Sequence, residues 1–248
     1  MVFEKYSQYY DALYQNKDYQ KEVDFLVDVI KKYSPREVKD VLSLGCGTAS
    51  HDIELAKRGF AITGVDQSET MLEIAQEKTG KENVNIDFKL GDVTNIKLDK
   101  QFDFAMAMFN IAGYMLENEH MEGLLKNTAG MLKKDGLFVF DCWYGPAVLK
   151  DKPMDREKQF IQDGKTLTRK TTQKLDFEKN IIDITFEISE DGKTLTTENH
   201  KMRFWGLEEL ESLLNTSGFE LVKACNFMDL DSTISDDHWD IFIIAQKI

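Results

Sequence analysis

Two places in the chain carry residues whose types and spacing could bind a nucleoside. Residues 43–48 read Ser-Leu-Gly-Cys-Gly-Thr directly after a short apolar run, and Asp66 ends the next apolar run. Gly45 and Gly47 would let the backbone approach a ligand closely, because glycine has no Cβ. The Asp66 carboxylate could accept hydrogen bonds from both ribose hydroxyls, and its charge would make those bonds strong. The pattern therefore predicts a nucleoside site where these two segments meet.

Two further features distinguish between nucleoside cofactors. The dinucleotide motif G-x-G-x-x-G needs a third glycine where Ser50 stands, so that phosphate-binding pattern is incomplete. A second acidic corner, Gly91-Asp92, suits a carboxylate that accepts from an adenine amino group. The alternative for Asp66 and Asp92 is a turn or cap role, where aspartate is common. Cys46 is expected to be a small packing residue, since no motif places a histidine beside it.

The elements that must position these residues alternate between strand and helix. Apolar runs predict strands at residues 41–44, 60–66, 84–89, 102–108 and 137–141. Helical spacing predicts helices before and between them, of which the first ends near Tyr33 and another is capped by Ser68. Such alternation favours a mostly parallel sheet with helices on both faces, with ligands at the carboxyl ends of the strands. The predicted fold class is α/β, a doubly wound Rossmann-like sheet.

The strand–helix rhythm changes after about residue 154. Residues 165–175, 181–188 and 194–204 resemble strands with turn signals and no helix between them, which predicts an antiparallel insertion. A helix at 207–217 and strands at 219–225 and 239–246 follow, which brings the main sheet to seven strands. We therefore expect one domain over 1–248, with a core of 1–150 and 205–248. The insertion (about 154–204) could shape the acceptor side of a pocket or mediate a homodimer.

Composition restricts the partners and the compartment. The 248 residues carry a formal net charge of −13, which opposes nucleic-acid binding because that depends on lysine and arginine. A few cations could still hold a small anionic ligand in one pocket. No run of about 18 apolar residues could span a membrane, and residues 1–6 lack the apolar stretch of a signal peptide. We expect a cytoplasmic protein that binds a small molecule and neither nucleic acid nor membrane.

Cysteine and histidine usage argues against a metal site or a disulfide framework. The three cysteines (Cys46, Cys142 and Cys225) form no Cys-x-x-Cys pair, and no histidine lies at zinc-finger spacing. Scattered cysteines fit a reducing compartment. The four histidines are far apart in sequence, and Asp141 alone does not make a cation site. No metal is therefore expected.

Several segments, taken in order, resemble the signature of the class I S-adenosylmethionine-dependent methyltransferases. They are residues 41–49, 65–66, 91–92, 102–103 and 132–136. The resemblance implies S-adenosylmethionine as the cofactor, with Gly45 and Gly47 along its methionine part, Asp66 on the ribose, and Asp92 with Val93 on the adenine. The cofactor-binding set that it implies is Tyr19, Gly45, Cys46, Gly47, Asp66, Gln67, Met71, Gly91, Asp92, Val93 and Met108.

Two positions depart from that family's pattern. The family usually has an acid where Ser43 stands and often a glycine where Ala49 stands. The first departure concerns recognition of the cofactor's amino group, which a backbone carbonyl could supply instead. Ser43 also leaves open a protein of another class, a regulatory or scaffold protein that binds the cofactor without catalysis.

A closer resemblance covers most of the chain. Four segments are similar to the N,N-dimethyltransferases of nucleotide-linked amino sugars: residues 10–19, 108–114, 142–146 and 200–205. The resemblance implies N-methylation of a deoxyhexose amine joined to a nucleoside diphosphate. Residues 235–239 depart from it, because the sugar enzymes have a glycine-rich stretch there. The alternative enzyme is an O- or N-methyltransferase of another small metabolite.

Acceptor chemistry requires an oriented lone pair, exclusion of water and a neutral amine, for which a nearby hydrogen-bond acceptor or weak base helps. Aromatic walls suit both a cationic cofactor and an amine. The catalytic candidates are Tyr14, Tyr114 and His200, the substrate candidates are Phe109, Trp143 and Tyr144, and a diphosphate could contact Arg169, Lys170 or Arg203. Tyr14 and Tyr19 belong to an amino-terminal helical region that could close as a lid. For each aromatic residue the alternative is a packing role.

Overall fold

Eleven strands form two sheets in residues 5–248, the part of the chain that this computed structural model describes. In chain order they are β1 (Asp40–Leu44), β2 (Ala61–Asp66), β3 (Asp87–Leu90), β4 (Phe102–Ala107), β5 (Leu132–Trp143), β6 (Arg156–Gln162), β7 (Lys165–Asp176), β8 (Ile181–Glu190), β9 (Lys193–Arg203), β10 (Phe219–Asn226) and β11 (Asp240–Lys247). Seven form a mixed sheet in the order β10-β11-β5-β4-β1-β2-β3, in which β11 alone runs antiparallel to its neighbours. The predicted doubly wound, Rossmann-like sheet is confirmed. Residues 1–4, on which part of the signal-peptide prediction rests, lie outside this range.

Helices cover both faces of the seven-stranded sheet. They are α1 (Ser7–Leu13), α2 (Tyr19–Tyr33), α3 (Ser50–Lys57), α4 (Glu69–Glu82), α5 (Asn118–Met131), α6 (Gly145–Lys150) and α7 (Leu207–Thr216), with a short 3-10 helix at Ile111–Tyr114. The predicted cap is present, since the Ser68 hydroxyl accepts from the Met71 N–H at 3.3 Å. β4 is buried at all six positions, and alternate residues enter opposite clusters, Phe104 beside α2 and α3 and Ala105 beside α5 and α7. Such two-sided burial explains the continuous apolar run of this strand.

Two strands begin at other residues than predicted, and one strand was not predicted at all, each for a local reason. β3 begins at Asp87 rather than at residue 84, because the Val84 N–H still donates to the Thr79 carbonyl at the end of α4 (3.1 Å). β5 starts at Leu132 rather than at residue 137. Residues 133–136 belong to the strand, and its pairing with β4 has an irregularity there. β6 was not predicted because Phe160 is its one buried residue, which leaves no alternating apolar pattern.

The second sheet is antiparallel, in the order β6-β7-β8-β9, and lies between α6 and α7 in the sequence. The predicted antiparallel insertion is therefore present. One cluster of this sheet, around Leu167 and Ile188, packs against Tyr6 and Leu13 of the amino-terminal region. The inserted sheet thus contacts α1. No helix within residues 5–248 has the length and apolarity needed to cross a membrane.

Candidate active site

The loop between β1 and α3 is shaped by two glycines with left-handed backbone conformations. Gly45 has φ +69° and Gly47 has φ +53°, a region that residues with a Cβ occupy only with strain. A Cβ at Gly45 would also lie 2.3 Å from the Ile111 side chain. The N–H groups of Gly45 and Cys46 both donate to the Val65 carbonyl (2.8 and 3.0 Å), which fixes the loop against the end of β2.

Asp66, at the end of β2, is held by the same loop. Its Oδ2 accepts from the Gly47 N–H (2.8 Å) and its Oδ1 from the Ser68 N–H (2.9 Å). The side chain is buried, and burial raises its pKa while these backbone donors oppose the rise. Each carboxylate oxygen has two lone pairs, so both can still accept from a ligand. Asp66, the residue predicted to bind the ribose, is therefore buried and oriented, and its carboxylate can accept hydrogen bonds from two hydroxyls.

A cavity of about 370 Å³ opens beside Asp66, and we call it the Asp92 cavity. Gln67, Asp92, Val93 and Tyr114 are among the residues that line it. The first three belong to the predicted cofactor-binding set. Asp92 uses Oδ1 to accept from the Thr94 N–H (2.8 Å) and hydroxyl (2.7 Å). Asp92 can therefore stabilise the turn and still bind a ligand, because its bonds with Thr94 use only one of its two carboxylate oxygens.

A second cavity of about 190 Å³, the Tyr14 cavity, adjoins the first through Gly45, Asp66, Ile111 and Tyr114. Its walls come from the amino-terminal region, the ends of β4 and β5, the inserted sheet and the start of β11. They are Tyr6, Tyr10, Tyr14, Gly45, Gly47, Asp66, Met71, Met108, Phe109, Asn110, Ile111, Tyr114, Asp141, Trp143, Ile184, Phe186, His200, Met202 and Asp240. Most of the predicted acceptor residues therefore lie around one space next to the predicted cofactor residues.

The tyrosines of the amino-terminal region form one wall of the Tyr14 cavity. Tyr14 packs edge-to-face on Phe109 with the ring centroids 4.9 Å apart, and Tyr10 lies 4.8 Å from Tyr14. Arg169 of β7 donates to the hydroxyls of Tyr6 (3.1 Å) and Tyr14 (3.2 Å). The inserted sheet therefore holds this wall in position.

Tyr114 and His200 meet at the far side of the Tyr14 cavity. The Tyr114 hydroxyl lies 2.8 Å from Nδ1 of His200. His200 is buried, and burial lowers the pKa of its imidazole to about 4. Burial also raises the pKa of the Tyr114 phenol well above its usual range. At neutral pH both groups are therefore uncharged, and Nδ1 of the imidazole can accept a hydrogen bond from the Tyr114 hydroxyl.

Two buried carboxylates give the Tyr14 cavity a negative character. Oδ2 of Asp141 accepts from the Asn110 N–H (2.8 Å), whereas Oδ1 has no hydrogen-bond partner within residues 5–248. Burial, and secondarily the Asp240 carboxylate, raises the pKa of Asp141 to about 7. Burial also raises the pKa of Asp240. The wall residues within the described range include neither lysine nor arginine, but Lys17 lies close enough to lower the pKa of both carboxyls, and Arg169 bonds two of the wall tyrosines. When the two carboxyls are ionised, the cavity suits a positively charged or amine-bearing ligand.

Some predicted residues lie elsewhere. Gly91 lines none of these cavities; a Cβ there would lie 2.5 Å from the Ile96 side chain, so its glycine serves local packing. Tyr144 packs against the main core, away from the Tyr14 cavity. Arg203 pairs with Glu209 (2.6 Å) and stacks over Trp205, and Lys170 is exposed. The remaining cofactor candidates, Tyr19 and Cys46, flank the glycine loop in a small cavity of about 30 Å³.

Several residues at the site were not found from the sequence. Tyr6 and Tyr10 precede Tyr14 at intervals of four, and that helical spacing was an available signal for one shared face. Asp141 was considered for metal binding alone. Asp240 and Phe186 reach the cavity from distant strands, and no local pattern indicates that.

The site fits S-adenosylmethionine on its own chemistry. The glycine loop leaves room for a close ligand, and Asp66 offers two acceptors for ribose hydroxyls. The Asp92 cavity beside it has a carboxylate and an apolar wall at Val93, as an adenine requires. The aromatic and acidic Tyr14 cavity then lies where the sulfonium and the methyl acceptor would meet.

Comparison with known proteins agrees with this geometry. The sequence model of one family, described as a methyltransferase domain, matches residues 41–136. A Geobacillus sp. (strain WCH70) protein, named as a candidate methyltransferase, is 34% identical over 57% of this chain and 57% of its own length. The dTDP-3-amino-3,4,6-trideoxy-alpha-D-glucopyranose N,N-dimethyltransferase of Streptomyces venezuelae is 23% identical over 86% of this chain and 89% of its own.

Among solved structures, an S-adenosylmethionine-dependent methyltransferase from Clostridium acetobutylicum ATCC 824 has the same fold, with a TM-score of 0.82 and 19% identity over 98% of both chains. The strand order, the glycine loop, the acid at the end of β2 and the domain match all coincide. Residues 41–136 therefore match a methyltransferase domain, and the chain has the fold of an S-adenosylmethionine-dependent methyltransferase.

Proposed function

We propose that this chain methylates the amine of a small molecule, with a nucleotide-linked amino sugar as the leading candidate. The observation that carries the proposal is the lining of the Tyr14 cavity, which combines aromatic rings with the carboxylates of Asp141 and Asp240. Aromatic faces and buried carboxylates both attract ammonium and sulfonium groups. An amine acceptor fits these walls better than a carboxylate or phosphate acceptor would.

The cofactor, when bound, supplies a methyl group already activated on a positively charged sulfur. The residues of this chain then orient the acceptor and exclude water, which can contribute about 7–11 kcal/mol to a barrier in the best cases. Tyr10, Tyr14 and Phe109 close one side of the cavity, and Phe186 closes another. These walls would hold the amine nitrogen with its lone pair directed at the methyl group that the bound cofactor would supply.

We assign the proton transfer to the Tyr114–His200 pair. The Tyr114 oxygen lines the cavity and contacts Nδ1 of His200 at 2.8 Å. As the product amine loses its extra proton to that oxygen, the Tyr114 proton passes to the imidazole, whose other nitrogen, Nε2, lies 3.7 Å from the Glu198 carboxylate. Because the pKa of His200 is low, the imidazole is neutral beforehand and would hold the proton only transiently before releasing it to solvent. Asp141 stabilises the transient positive charge on the nitrogen.

The sugar-nucleotide part of the proposal rests on the similarity to the Streptomyces venezuelae dimethyltransferase and on one arginine. Arg169 lies at the edge of the Tyr14 cavity, where it bonds two of the lining tyrosines, and its Nε has no hydrogen-bond partner within residues 5–248. It could contact a phosphate of such a substrate. Arg203 is less suited, because Glu209 and the Leu116 carbonyl already bind it.

We also propose that residues 154–204 serve the acceptor side of a single methyltransferase domain. Phe186 and His200 of this insertion reach the Tyr14 cavity, and Arg169 holds two of its tyrosines. These contacts support a substrate role over a purely dimer-forming one.

The test is a methyl-transfer assay with radiolabelled cofactor against three panels: nucleotide-linked amino sugars, simple amines, and hydroxyl acceptors. Turnover of an amino sugar nucleotide, and its loss when the amino group is replaced by hydroxyl, is the expected result. Turnover of hydroxyl acceptors alone would overturn the amine assignment. Cofactor binding without transfer to any acceptor, including a metabolite extract, would favour a non-catalytic binding protein.

A further inference from the structure

A buried carboxylate beside the glycine loop has no assigned role. Asp52 lies in the first turn of α3 and is 1% exposed. Ser43, at the position where the family pattern has an acid, lines the same small cavity as this carboxylate. Oδ1 of Asp52 has no hydrogen-bond partner within residues 5–248. A buried carboxylate oxygen of this kind is destabilising unless a donor reaches it.

The space in front of Asp52 is small and belongs to the glycine loop. It is a cavity of about 30 Å³, whose walls include Gly45, Gly47 and Tyr19. About 10–15 Å³ is enough for one water molecule, so the cavity can hold a single ammonium-sized group. Its position on the loop places it beside the part of the site where the amino-acid end of the cofactor would lie.

The neighbouring cations of the chain are already engaged by other groups. Lys78 Nζ contacts Asp11, Thr48 and Ser50 at 2.9–3.1 Å. His51 pairs with Glu22 at 2.6 Å. Burial raises the pKa of Asp52 to about 7, and Asp66 adds to that rise. A cation from a ligand would therefore be the missing partner of this carboxylate.

We infer that Asp52 binds the α-ammonium group of the cofactor and replaces the acid that Ser43 lacks. The carboxylate has moved from the end of β1 to the first turn of α3, and Ser43 lines the same small cavity. This inference rests on the cofactor assignment, and it makes Asp52 a binding residue with no contact to the methyl acceptor.

Calorimetry with two ligands tests the inference without any turnover. S-Adenosylhomocysteine carries the α-ammonium group, whereas 5′-methylthioadenosine lacks the whole amino-acid end. Asp52→Asn should weaken S-adenosylhomocysteine binding about 10- to 100-fold, because a hydrogen bond to a charged group is lost. Its affinity for 5′-methylthioadenosine should stay within about twofold of wild type, which also shows that the variant is folded.

Asp66→Asn is the matched control, since both ligands contain the ribose and both should weaken together. Ser43→Ala, a second variant, should selectively weaken S-adenosylhomocysteine by several-fold through loss of a hydroxyl from the same small cavity. An unchanged ratio of the two affinities in Asp52→Asn and in Ser43→Ala would overturn the inference alone. Failure of the wild-type chain to bind either ligand would instead overturn the cofactor assignment, and this inference with it.

Discussion

The hydroxyl of Tyr114 and Nδ1 of His200 lie 2.8 Å apart, although 86 residues separate them in the chain. Tyr114 ends the 3-10 helix that follows β4, and His200 lies on β9 of the inserted sheet. The contact joins the cofactor-binding core to the insertion at the wall of the Tyr14 cavity. The proposed acceptor chemistry would thus lie at the junction of the two sheets.

Tyr114→Phe should lower kcat by about 100-fold or more, because general acid–base groups contribute on that scale. KM for the acceptor should change little, since the ring and its packing remain. Steady-state kinetics with the acceptor identified by the panel assay provide the measurement. Tyr33→Phe, distant from the cavities, is the control, and equal kcat values for the two variants would contradict the assigned role.

His200 should make the folded state pH-sensitive in a defined direction. The pKa falls from 6.5 to about 4 on burial, so between these values the unfolded chain binds a proton that the folded chain does not. Above pH 6.5 both states are neutral and the effect vanishes. As the pH falls from above 6.5 to 5, the free energy of unfolding of the wild type should decrease by about 2 kcal/mol relative to that of His200→Gln.

Urea unfolding of both proteins at pH 7.5 and pH 5 gives this difference directly. His238→Gln at the exposed His238 serves as the reference substitution, because solvent screens its ring. A His200→Gln variant whose stability relative to wild type is the same at the two pH values would show that the imidazole is not held neutral.

Above pH 7, where Asp141 is ionised despite its raised pKa of about 7, Asp141→Asn should reduce kcat/KM for an amine acceptor about tenfold, because a buried negative charge beside the developing ammonium is removed. The amide oxygen can still accept from the Asn110 N–H, so the loop after β4 should keep its shape. Asp135→Asn, at a partly exposed position of β5 where the carboxylate pairs with Arg36 at the surface, tests for nonspecific charge effects. A larger loss with hydroxyl acceptors than with amines would argue against the amine assignment.

Asp11 connects α1 to the cofactor loop. Its Oδ1 accepts from the Thr48 hydroxyl (2.6 Å) and from Lys78 Nζ (3.0 Å). Asp11→Ala should release α1 and increase amide hydrogen exchange at 7–14 by about tenfold, with a raised KM for the acceptor. Asp28→Ala, on the exposed face of α2, is the comparison. Unchanged exchange at 7–14 would mean that this link does not hold the helix.

The cofactor half of the site could be predicted because its signals are local. Gly45, Gly47 and Asp66 lie at strand ends, and a doubly wound sheet brings those ends to one edge without any detail of packing. The inferred role of Asp52 was not predicted because it depends on Ser43 of β1 and Asp52 of α3 lining the same small cavity. That arrangement has no sequence signature.

The acceptor half was harder to predict because it depends on long-range packing. Tyr14, Phe109, Trp143 and His200 converge from four parts of the chain, and only the resemblance to sugar methyltransferases grouped them beforehand. Trp143 and Tyr144 were predicted together, yet successive residues along extended backbone point in opposite directions. Trp143 faces the cavity and Tyr144 packs into the core.

The Tyr14 cavity has walls from both ends of the chain, from Tyr6 near the start to Asp240 at the beginning of β11. A nascent chain that has emerged only to residue 150 already contains the glycine loop, Asp66 and Asp92, but it lacks the inserted sheet and β11. The acceptor pocket is complete only once β11 has paired between β5 and β10. β11 must therefore be synthesised and paired before the proposed acceptor pocket exists, although the segments around the glycine loop are made much earlier.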